Sequence, residues 1–345
     1  MIKQLLLLLI FPYFLVCQEN IKFSKTIIVE DIKRHLNILA SDSLEGRETG
    51  KPGQKMAADY IMNHFKDIGI PPYKKNTYYQ KFKVESDRHI CKYNCENCDE
   101  DFITKLFKKK RIVKGENILG YIKGRDLKDE LIIITAHYDH LGKHDTLLFN
   151  GADDNGSGTA AVMEIAEAFM LAKKEGSGPR RSVLIMPVSG EEKGLLGSKY
   201  YTDNPIYPLK KTVANLNIDM IGRVDYYHDT SGYIYLIGSD MLSQELHNIS
   251  ESINKKYVGL ELDYTFNAED DPNRYYYRSD HFNFAKNNIP VIFYFNGLHD
   301  DYHKVTDTLE KIDFKKIETI TRLVFLTAWE LANREKRIIL ENKEY

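Results

Sequence analysis

Five short segments of this sequence carry side chains that suit metal binding and acid–base chemistry. They read AHYDH at 136–140, GADDNGSGT at 151–159, VSGEEKGLLGS at 188–198, NLNIDMIGR at 215–223 and YHKVTDT at 302–308. Imidazole and carboxylate groups are donors that zinc takes from proteins, and a free carboxylate can also move protons. The sequence therefore contains the groups for a metal-assisted reaction, provided that the fold brings the five segments together.

The spacing within the segments suggests what each side chain can do. A β-strand alternates its side chains, so His137 and Asp139 point to one side if the strand continues, and Asp139 can then accept a hydrogen bond from the His137 ring. Glycines near Asp153 allow a tight turn, and this turn can present the two carboxylate oxygens of Asp153 to two cations. The adjacent Glu191 and Glu192 would be costly after a buried strand unless cations neutralise them, and they allow two roles, ligand and base. Each segment alone is a weak signal, but the set at successive strand ends is a strong one.

The elements that must position these segments are predicted from the hydrophobic pattern. Strands are expected at 78–84, 117–122, 131–136, 182–188, 216–220, 233–237 and 290–295. Helices are expected at 29–40, 54–68, 157–174 and 245–256, and within 312–340. This alternation predicts one α/β domain with a mixed, largely parallel central sheet that is covered by helices on both faces. Ligands of such sheets collect outside the carboxyl ends of the strands, where the five segments are expected to meet.

The composition is that of a globular protein, with 345 residues, 43% of them hydrophobic and 28% charged. A net charge of −2 argues against a nucleic-acid binder, because such proteins usually carry a strong basic excess. After the N-terminus no segment is apolar enough to span a bilayer. We therefore expect that the protein does not bind nucleic acid and that it has no stable membrane span.

The N-terminus predicts a signal peptide over residues 1–18. A basic residue precedes the short apolar run 5–11, and Pro12 then interrupts it. A spanning helix needs about 20 apolar residues, so we favour a cleaved signal and a periplasmic or secreted protein over a membrane anchor. Cys17 could be the lipidated first residue of a lipoprotein, although the residue before it is bulkier than such cleavage prefers.

The remaining cysteines lie in a charged, irregular insert around 85–111. Cys91, Cys95 and Cys98 follow a C-x3-C-x2-C spacing. A disulfide within the cluster is our preferred interpretation, because an exported protein meets an oxidising compartment. An iron–sulfur site and a structural zinc site with a fourth ligand are the alternatives.

Taken together, the motifs resemble those of the M28 family of zinc peptidases, which contains bacterial aminopeptidases and the related glutaminyl cyclases. The resemblance covers roughly residues 30–330, and it implies that residues 19–345 form one peptidase domain with a zinc-peptidase fold. The matching motifs are LASDSLEGRETGKPG, AHYDHLG, NGADDNGSG, VSGEEKGLLGS, NIDMIGR, SDHFNF and YHKVTDT.

The resemblance implies two zinc ions. It assigns their ligands as His137 and Asp219 for one ion, Glu192 and His303 for the other, and Asp153 as the bridging carboxylate. Three carboxylates and a bridging hydroxide would then balance the four positive charges of the two ions. The family also implies a cis peptide bond between Asp153 and Asp154.

Further roles follow from the same resemblance. Glu191 would be the general base, Asp139 the partner of His137, and Tyr302 a residue that lines the site and stabilises the oxyanion. Asp280 and His281 belong to a motif near the substrate pocket in this family, and a structural role that ties the following loop to the sheet is equally open. Residues 275–278 could wall a side-chain pocket. We expect a supporting rather than a ligand role for four nearby residues: His140, His144, His299 and Asp154.

The implied activity is zinc-dependent hydrolysis of peptide bonds, most simply an aminopeptidase that releases N-terminal residues from peptides. Water activated by the two zinc ions would give its proton to Glu191, which would deliver it to the leaving amine. Two alternatives stay open, a glutaminyl-peptide cyclotransferase with the same ligands and a non-catalytic binding or scaffold protein.

Overall fold

A seven-stranded sheet forms the centre of the protein, as seen in a computed structural model that describes residues 20–74, 76–86, 111–268 and 270–341. From edge to edge its strands are β10 (Glu261–Asp263), β9 (Tyr233–Ile237), β11 (Val291–Phe295), β8 (Thr212–Ile218), β4 (Leu127–His137), β7 (Arg181–Val188) and β3 (Gly120–Ile122). The four neighbours β11, β8, β4 and β7 run parallel. β9 is antiparallel to β11 and parallel to β10, and β3 is antiparallel to β7. The predicted mixed, largely parallel sheet is confirmed.

Helices cover both faces of this sheet. They are α1 (Val29–Leu39), α2 (Pro52–Asp67), α3 (Gly158–Lys174), α4 (Leu196–Asp203), α5 (Gln244–Ile253), α6 (His281–Ala285) and α7 (Phe314–Asn333), and residues 20–24 are helical as well. Side chains of α1, α2, α3, α5 and α7 belong to one hydrophobic core, and those of α4 and α6 belong to a second one. The terminal helix α7 lies within the range 312–340 that the sequence predicted.

The central strands contribute to both cores because their side chains alternate. Ile132 and Ile134 of β4 lie in the first core, and Ile133 between them lies in the second. In the first core Phe169 of α3 packs on Phe325 and Trp329 of α7, with ring centroids 4.9 and 5.8 Å away. The apolar runs of the sequence are continuous because both faces of the strands are buried.

The predicted strand at 117–122 is wrong as a single element. Its first part ends β2 (Arg111–Ile118), which pairs antiparallel with β1 (Tyr79–Ser86) in a separate small sheet. The chain crosses between the sheets at Leu119, whose N–H donates to the carbonyl of Tyr78 at 2.8 Å. Pattern alone could not place this crossing, because both parts are apolar. A second hairpin, of β5 (Gly142–His144) and β6 (Leu147–Phe149), follows the end of β4 closely.

Several sequence predictions fall outside the described residues. These are the signal peptide with Cys17, and the cysteines Cys91, Cys95 and Cys98 of the insert, most of which connects β1 to β2. Their roles stay predictions. Of the helices in the described ranges, none combines the length and the apolar character that crossing a bilayer requires.

Candidate metal centre and catalytic pocket

The chemically important segments follow the carboxyl ends of the four parallel strands. β4 ends at His137, Asp219 directly follows β8, and Glu191 and Glu192 follow β7. The chain after β11 leads to His303. Because these strands are parallel neighbours, the side chains gather at one edge of the sheet, as the sequence predicted.

His137 and two carboxylates form the first group of donors. The Nε2 atom of His137 lies 3.2 Å from Oδ1 of Asp219 and 3.4 Å from Oδ1 of Asp154. The Nδ1–H of the ring donates to the main-chain oxygen of Asp139 at 3.0 Å, so Nε2 is the nitrogen that faces the carboxylates. Burial alone would lower the pKa of His137, but the charges of Asp219 and Asp154 raise it well above its usual value.

A second group of donors shares Asp154 with the first. The Nε2 atom of His303 lies 3.1 Å from Oδ2 of Asp154 and 3.5 Å from Oε2 of Glu192. Burial works against it, but these two charges raise the pKa of His303 to about 11. Burial and Asp154 would raise the pKa of Glu192, whereas His303 and His140 lower it to about 2.

His140 is an additional histidine beside the second group. Its Nδ1 atom lies 3.0 Å from Oε1 of Glu192 and 3.7 Å from Oδ2 of Asp154. The sequence gave it only a supporting role. It contacts one oxygen of Glu192 while His303 faces the other, so it can fix the orientation of that carboxylate.

The carboxylate between the two groups belongs to Asp154, which corrects the sequence assignment of Asp153. Asp154 faces both His137 and His303. Asp153 points elsewhere, with Oδ1 accepting from the N–H of Gly222 at 2.6 Å and Oδ2 at 3.2 Å from Nε2 of His299. The cis peptide bond likewise lies one residue later than predicted, between Asp154 and Asn155.

The loop that carries Asp154 is fastened to the end of β8. Asn155 donates to the carbonyl of Ile218 at 2.9 Å and accepts from the N–H of Met220 at 3.2 Å. Ser157 donates to the carbonyl of Asp153 at 2.8 Å and accepts from the N–H of Ile221 at 3.1 Å. The loop therefore keeps Asp154 in place next to Asp219.

The first residues of the same loop are also fixed. The Asp307 carboxylate accepts from the N–H of Asp153 at 3.0 Å and from that of Asp154 at 3.1 Å. Gly151 begins the loop at φ 56°, and a Cβ there would meet the Asp154 carbonyl at 2.2 Å and the His140 ring at 2.5 Å. Only glycine has room at this position.

Asp139 supports the segment that carries Glu191 rather than the His137 ring. Its Oδ1 atom is 3.8 Å from Nδ1 of His137, because β4 ends at His137 and the strand alternation stops there. The carboxylate accepts from the hydroxyl of Thr49 at 2.6 Å and from the N–H of Glu191 at 3.3 Å. The predicted hydrogen bond from the His137 ring thus reaches the main chain of Asp139 instead of its carboxylate.

Arg47, in the segment before α2, connects the loops around the site. This buried guanidinium donates to the carbonyls of Tyr138, Asn150 and Gly151 at 2.8, 2.7 and 2.9 Å, and also to that of Leu39. Arg47 thus joins the loop after β4 to the Asp154 loop. Its pKa is lowered to about 10 by burial, against the attraction of nearby carboxylates.

A buried chain of hydrogen bonds leads through the sheet to Asp219. Asn215 donates to the hydroxyl of Thr135 at 3.0 Å, and this hydroxyl donates to Oδ1 of Asn217 at 2.7 Å. Asn217 donates to Oγ of Ser279 at 2.9 Å, and Ser279 donates to Oδ2 of Asp219 at 2.7 Å. Oδ1 of Asp219 is left to face His137. The sequence analysis missed this role of Ser279, although the residue stands inside the SDHFNF motif.

Glu191 lies at the surface of a cavity that opens to solvent beside the donors. Residues that line this cavity are His137, Asp154, Glu191, Asp219, Met220, Tyr275, Arg278, Phe293, Phe295, Leu298, Tyr302 and His303. Burial raises the pKa of Glu191 well above its usual value, and the charge of Glu192 adds to this, although His137 opposes it. Glu191 is therefore a carboxylate that can hold a proton next to the donors.

Of the three residues predicted to bind substrate, one lines the cavity and two do not. Tyr302 lines the cavity and stacks on the His303 ring with centroids 3.8 Å apart. Asp280 and His281 are fully buried and are not among the described residues that line it, so their predicted substrate contact stays a prediction. Asp280 accepts from the hydroxyl of Ser198, while His281 stacks behind Phe293 at 4.7 Å. They hold the walls in place, which is the structural role that the sequence left open.

The donor atoms have the separations that a tetrahedral zinc site requires. Ligand distances of about 2.0–2.2 Å place neighbouring donors roughly 3.3–3.6 Å apart. His137 with Asp154 and Asp219, and His303 with Asp154 and Glu192, show 3.1–3.5 Å. The nitrogen and carboxylate donors therefore fit zinc in both type and spacing.

Comparison with known proteins supports the family resemblance. Residues 117–328 match the model of Peptidase family M28. The aminopeptidase YwaD of Bacillus subtilis is 26% identical over 231 residues, which are 65% of this chain and 46% of that enzyme. A probable leucine aminopeptidase of Trichophyton verrucosum is 29% identical over 286 residues, 81% of this chain and 74% of that protein. The match to the Bacillus enzyme thus spans less than half of its length.

Solved structures show the same fold at lower identity. The LapA aminopeptidase of Legionella pneumophila superposes with a TM-score of 0.69 at 20% identity, covering 92% of this chain and 75% of that one. The glutaminyl cyclase of Porphyromonas gingivalis gives a TM-score of 0.63 at 17% identity, covering 87% of this chain and 97% of that one. One fold therefore occurs in proteins of both activities, and the fold does not choose between them.

The chain of hydrogen bonds to Asp219 yields a prediction about metal affinity. Ser279→Ala removes the donor to Oδ2 of Asp219, so this carboxylate can rotate away from His137. We expect zinc affinity to fall by about 10- to 100-fold, the usual effect of losing a hydrogen bond behind a ligand. Competition titration against a zinc-binding dye measures the change.

The matched control is Ser243→Ala. Ser243 caps α5 by accepting the N–H of Leu246 at 3.3 Å, so its loss should lower stability by about 1 kcal/mol without changing zinc affinity. Equal zinc affinities for Ser279→Ala and the unmodified protein would contradict the positioning role.

Proposed function

Because the chain belongs to peptidase family M28, we propose that it is an exported, zinc-dependent aminopeptidase. The observation that carries this proposal is the arrangement of the donors. Imidazole and carboxylate atoms lie 3.1–3.5 Å apart in two groups that share Asp154. Buried carboxylates in such numbers are costly unless cations neutralise them.

The proposal gives each donor a role. His137 and Asp219 would hold one zinc ion, Glu192 and His303 the other, and Asp154 would bridge the two. We assign His303 rather than His140 as the ligand, because His303 lines the cavity whereas His140 is fully buried behind Glu192. When bound, the two ions would acidify water and polarise the scissile carbonyl.

Glu191 would carry the proton in this reaction. Its carboxylate lines the cavity, so it can reach a water molecule and the scissile bond from the same position. It can accept a proton from that water and return it to the leaving amine. Asp139 keeps this residue in place by accepting its main-chain N–H.

The lining of the cavity favours removal of a single N-terminal residue. Met220, Phe293, Phe295 and Leu298 give the cavity apolar walls, and Glu191, which holds no zinc ion in this proposal, attracts a free ammonium group. An apolar first residue with a free α-amino group is the substrate that matches both features.

The role of Glu191 predicts the behaviour of Glu191→Gln. This variant keeps the shape of the side chain but cannot accept a proton, so kcat on leucine p-nitroanilide should fall by about 100- to 10,000-fold. Zinc content by elemental analysis should stay unchanged. Glu192→Gln, one residue later, should instead lower zinc content, and the exposed Glu310→Gln should affect neither. Near-normal turnover by Glu191→Gln would refute the assignment.

Removal of metal should affect both activity and stability. Without cations the buried carboxylates repel one another, so dialysis against a chelator should abolish turnover and lower the Tm of the protein. Adding two equivalents of Zn²⁺ should restore both. The same preparations should be tested for cyclisation of a Gln-initiated peptide, and a cyclase would give that product without hydrolysing leucine p-nitroanilide. Absence of bound zinc after mild purification would favour a scaffold protein.

Export yields a separate prediction. Expression of the full chain should give a mature protein whose first residue lies close to position 19, as N-terminal sequencing of the material outside the cytoplasm would show. A start at a lipid-modified Cys17 would establish the lipoprotein alternative. A mature chain that retains residues 1–18 would contradict signal cleavage.

A further inference from the structure

Arg278 is a cation on the wall of the cavity, away from the metal donors in sequence. Among the described residues that line the cavity it is the one arginine or lysine. Its side chain is exposed, and within the described ranges no carboxylate or carbonyl accepts a hydrogen bond from its guanidinium. The five N–H donors of this group are therefore available to a ligand.

The Arg278 guanidinium lies over the ring of Tyr275, which is itself packed between other aromatic rings. Its central carbon lies 4.9 Å from the centroid of the Tyr275 ring. Tyr275 in turn packs on Phe266 and Phe295, with centroids 4.7 and 5.1 Å away, and its N–H donates to Asp271 at 3.0 Å. This contact is to the ring face of Tyr275 and uses none of the N–H groups for a hydrogen bond to an oxygen, so the guanidinium can bind a carboxylate with two parallel hydrogen bonds.

The charges of the cavity match those of a short zwitterionic peptide. Glu191, the carboxylate of the lining that holds no zinc ion in the proposed site, marks where the substrate ammonium would lie, and Arg278 adds a positive charge to the same lining. An extended dipeptide spans about 7 Å, and Arg278 lines the same cavity as Glu191. A carboxylate near the N-terminal residue of a substrate can therefore come within reach of Arg278.

We propose that Arg278 binds a carboxylate of the substrate and so makes the enzyme selective for short or acidic peptides. This inference rests on the proposed peptidase function. The carboxylate can be the C-terminus of a dipeptide or the side chain of an acidic residue. Both present the same planar group to the guanidinium, so matched substrates must separate them.

Two pairs of substrates test the two sources. Leu-Ala and Leu-Ala-amide differ only in the charge of the C-terminus, whereas Glu-Ala-amide and Gln-Ala-amide differ only in the charge of the first side chain. The ratio of kcat/KM within one pair should favour the carboxylate form in the unmodified enzyme. Arg278→Gln should reduce that ratio by about tenfold, the effect expected of a partly exposed charge-assisted hydrogen bond. Arg278→Lys should give an intermediate ratio, because it keeps the charge without the planar fork.

Arg274→Gln is the matched control. Arg274 is also exposed and stacks on a tyrosine ring, 4.7 Å from the centroid of Tyr277, but neither residue lines the cavity. This variant should keep the ratios of the unmodified enzyme. Unchanged ratios for both pairs in Arg278→Gln would overturn the inference, while hydrolysis of the amides would still uphold the peptidase function.

Binding measurements keep the two questions apart if no peptide is hydrolysed. Calorimetry of the zinc-loaded protein with the same four peptides measures the preference for a carboxylate without requiring turnover. Tighter binding of one carboxylate form, lost in Arg278→Gln but kept in Arg274→Gln, would support recognition by Arg278 even if the proposed activity failed. Equal binding of both forms in each pair would reject it.

Discussion

Mutual repulsion among acidic side chains at one edge of the sheet is the constraint that the surrounding structure has to satisfy. The carboxylates that gather there are Asp139, Asp153, Asp154, Glu191, Glu192, Asp219, Asp280 and Asp307. The six aspartates among them are buried. Removing an ionised carboxylate from water costs several kcal/mol unless hydrogen bonds or opposite charges replace its hydration. The fold meets this cost with particular partners, and those partners fix the geometry of the site.

Main-chain N–H groups are one kind of partner, beside the histidine rings. Asp307 accepts from the N–H of Asp153 and of Asp154, Asp153 accepts from Gly222, and Asp139 accepts from Glu191. Each bond stabilises a carboxylate and at the same time holds a loop that carries another one. Positioning and charge compensation are thus one set of contacts, so a change at one carboxylate should displace its neighbours. Single substitutions here are not expected to be additive.

The sequence predicted the strands and the gathering of their ends well, because both depend on short-range patterns. Apolar runs marked β4, β7 and β11, and polar residues after them marked the edge of the sheet. The choice between Asp153 and Asp154 failed, because adjacent carboxylates differ only in the backbone direction of an irregular loop. Ser279 was missed because its importance comes from Asn217 and Asp219, which are about 60 residues away in sequence. Periodicity carries no information about such contacts.

The residues of the donor groups and those of the cavity wall come from different parts of the fold. His137, Asp154 and Asp219 lie at or directly after the ends of central strands, and the main-chain bonds described above restrict their movement. Tyr275 and Arg278 come from the segment between β10 and α6, outside the central sheet. Substitutions of these two side chains can alter the wall, provided that Ser279 in the same segment keeps its bond to Asp219. The metal chemistry can therefore be shared by proteins that act on different substrates, and substrate choice has to be inferred from this chain's own wall residues, Arg278 first among them.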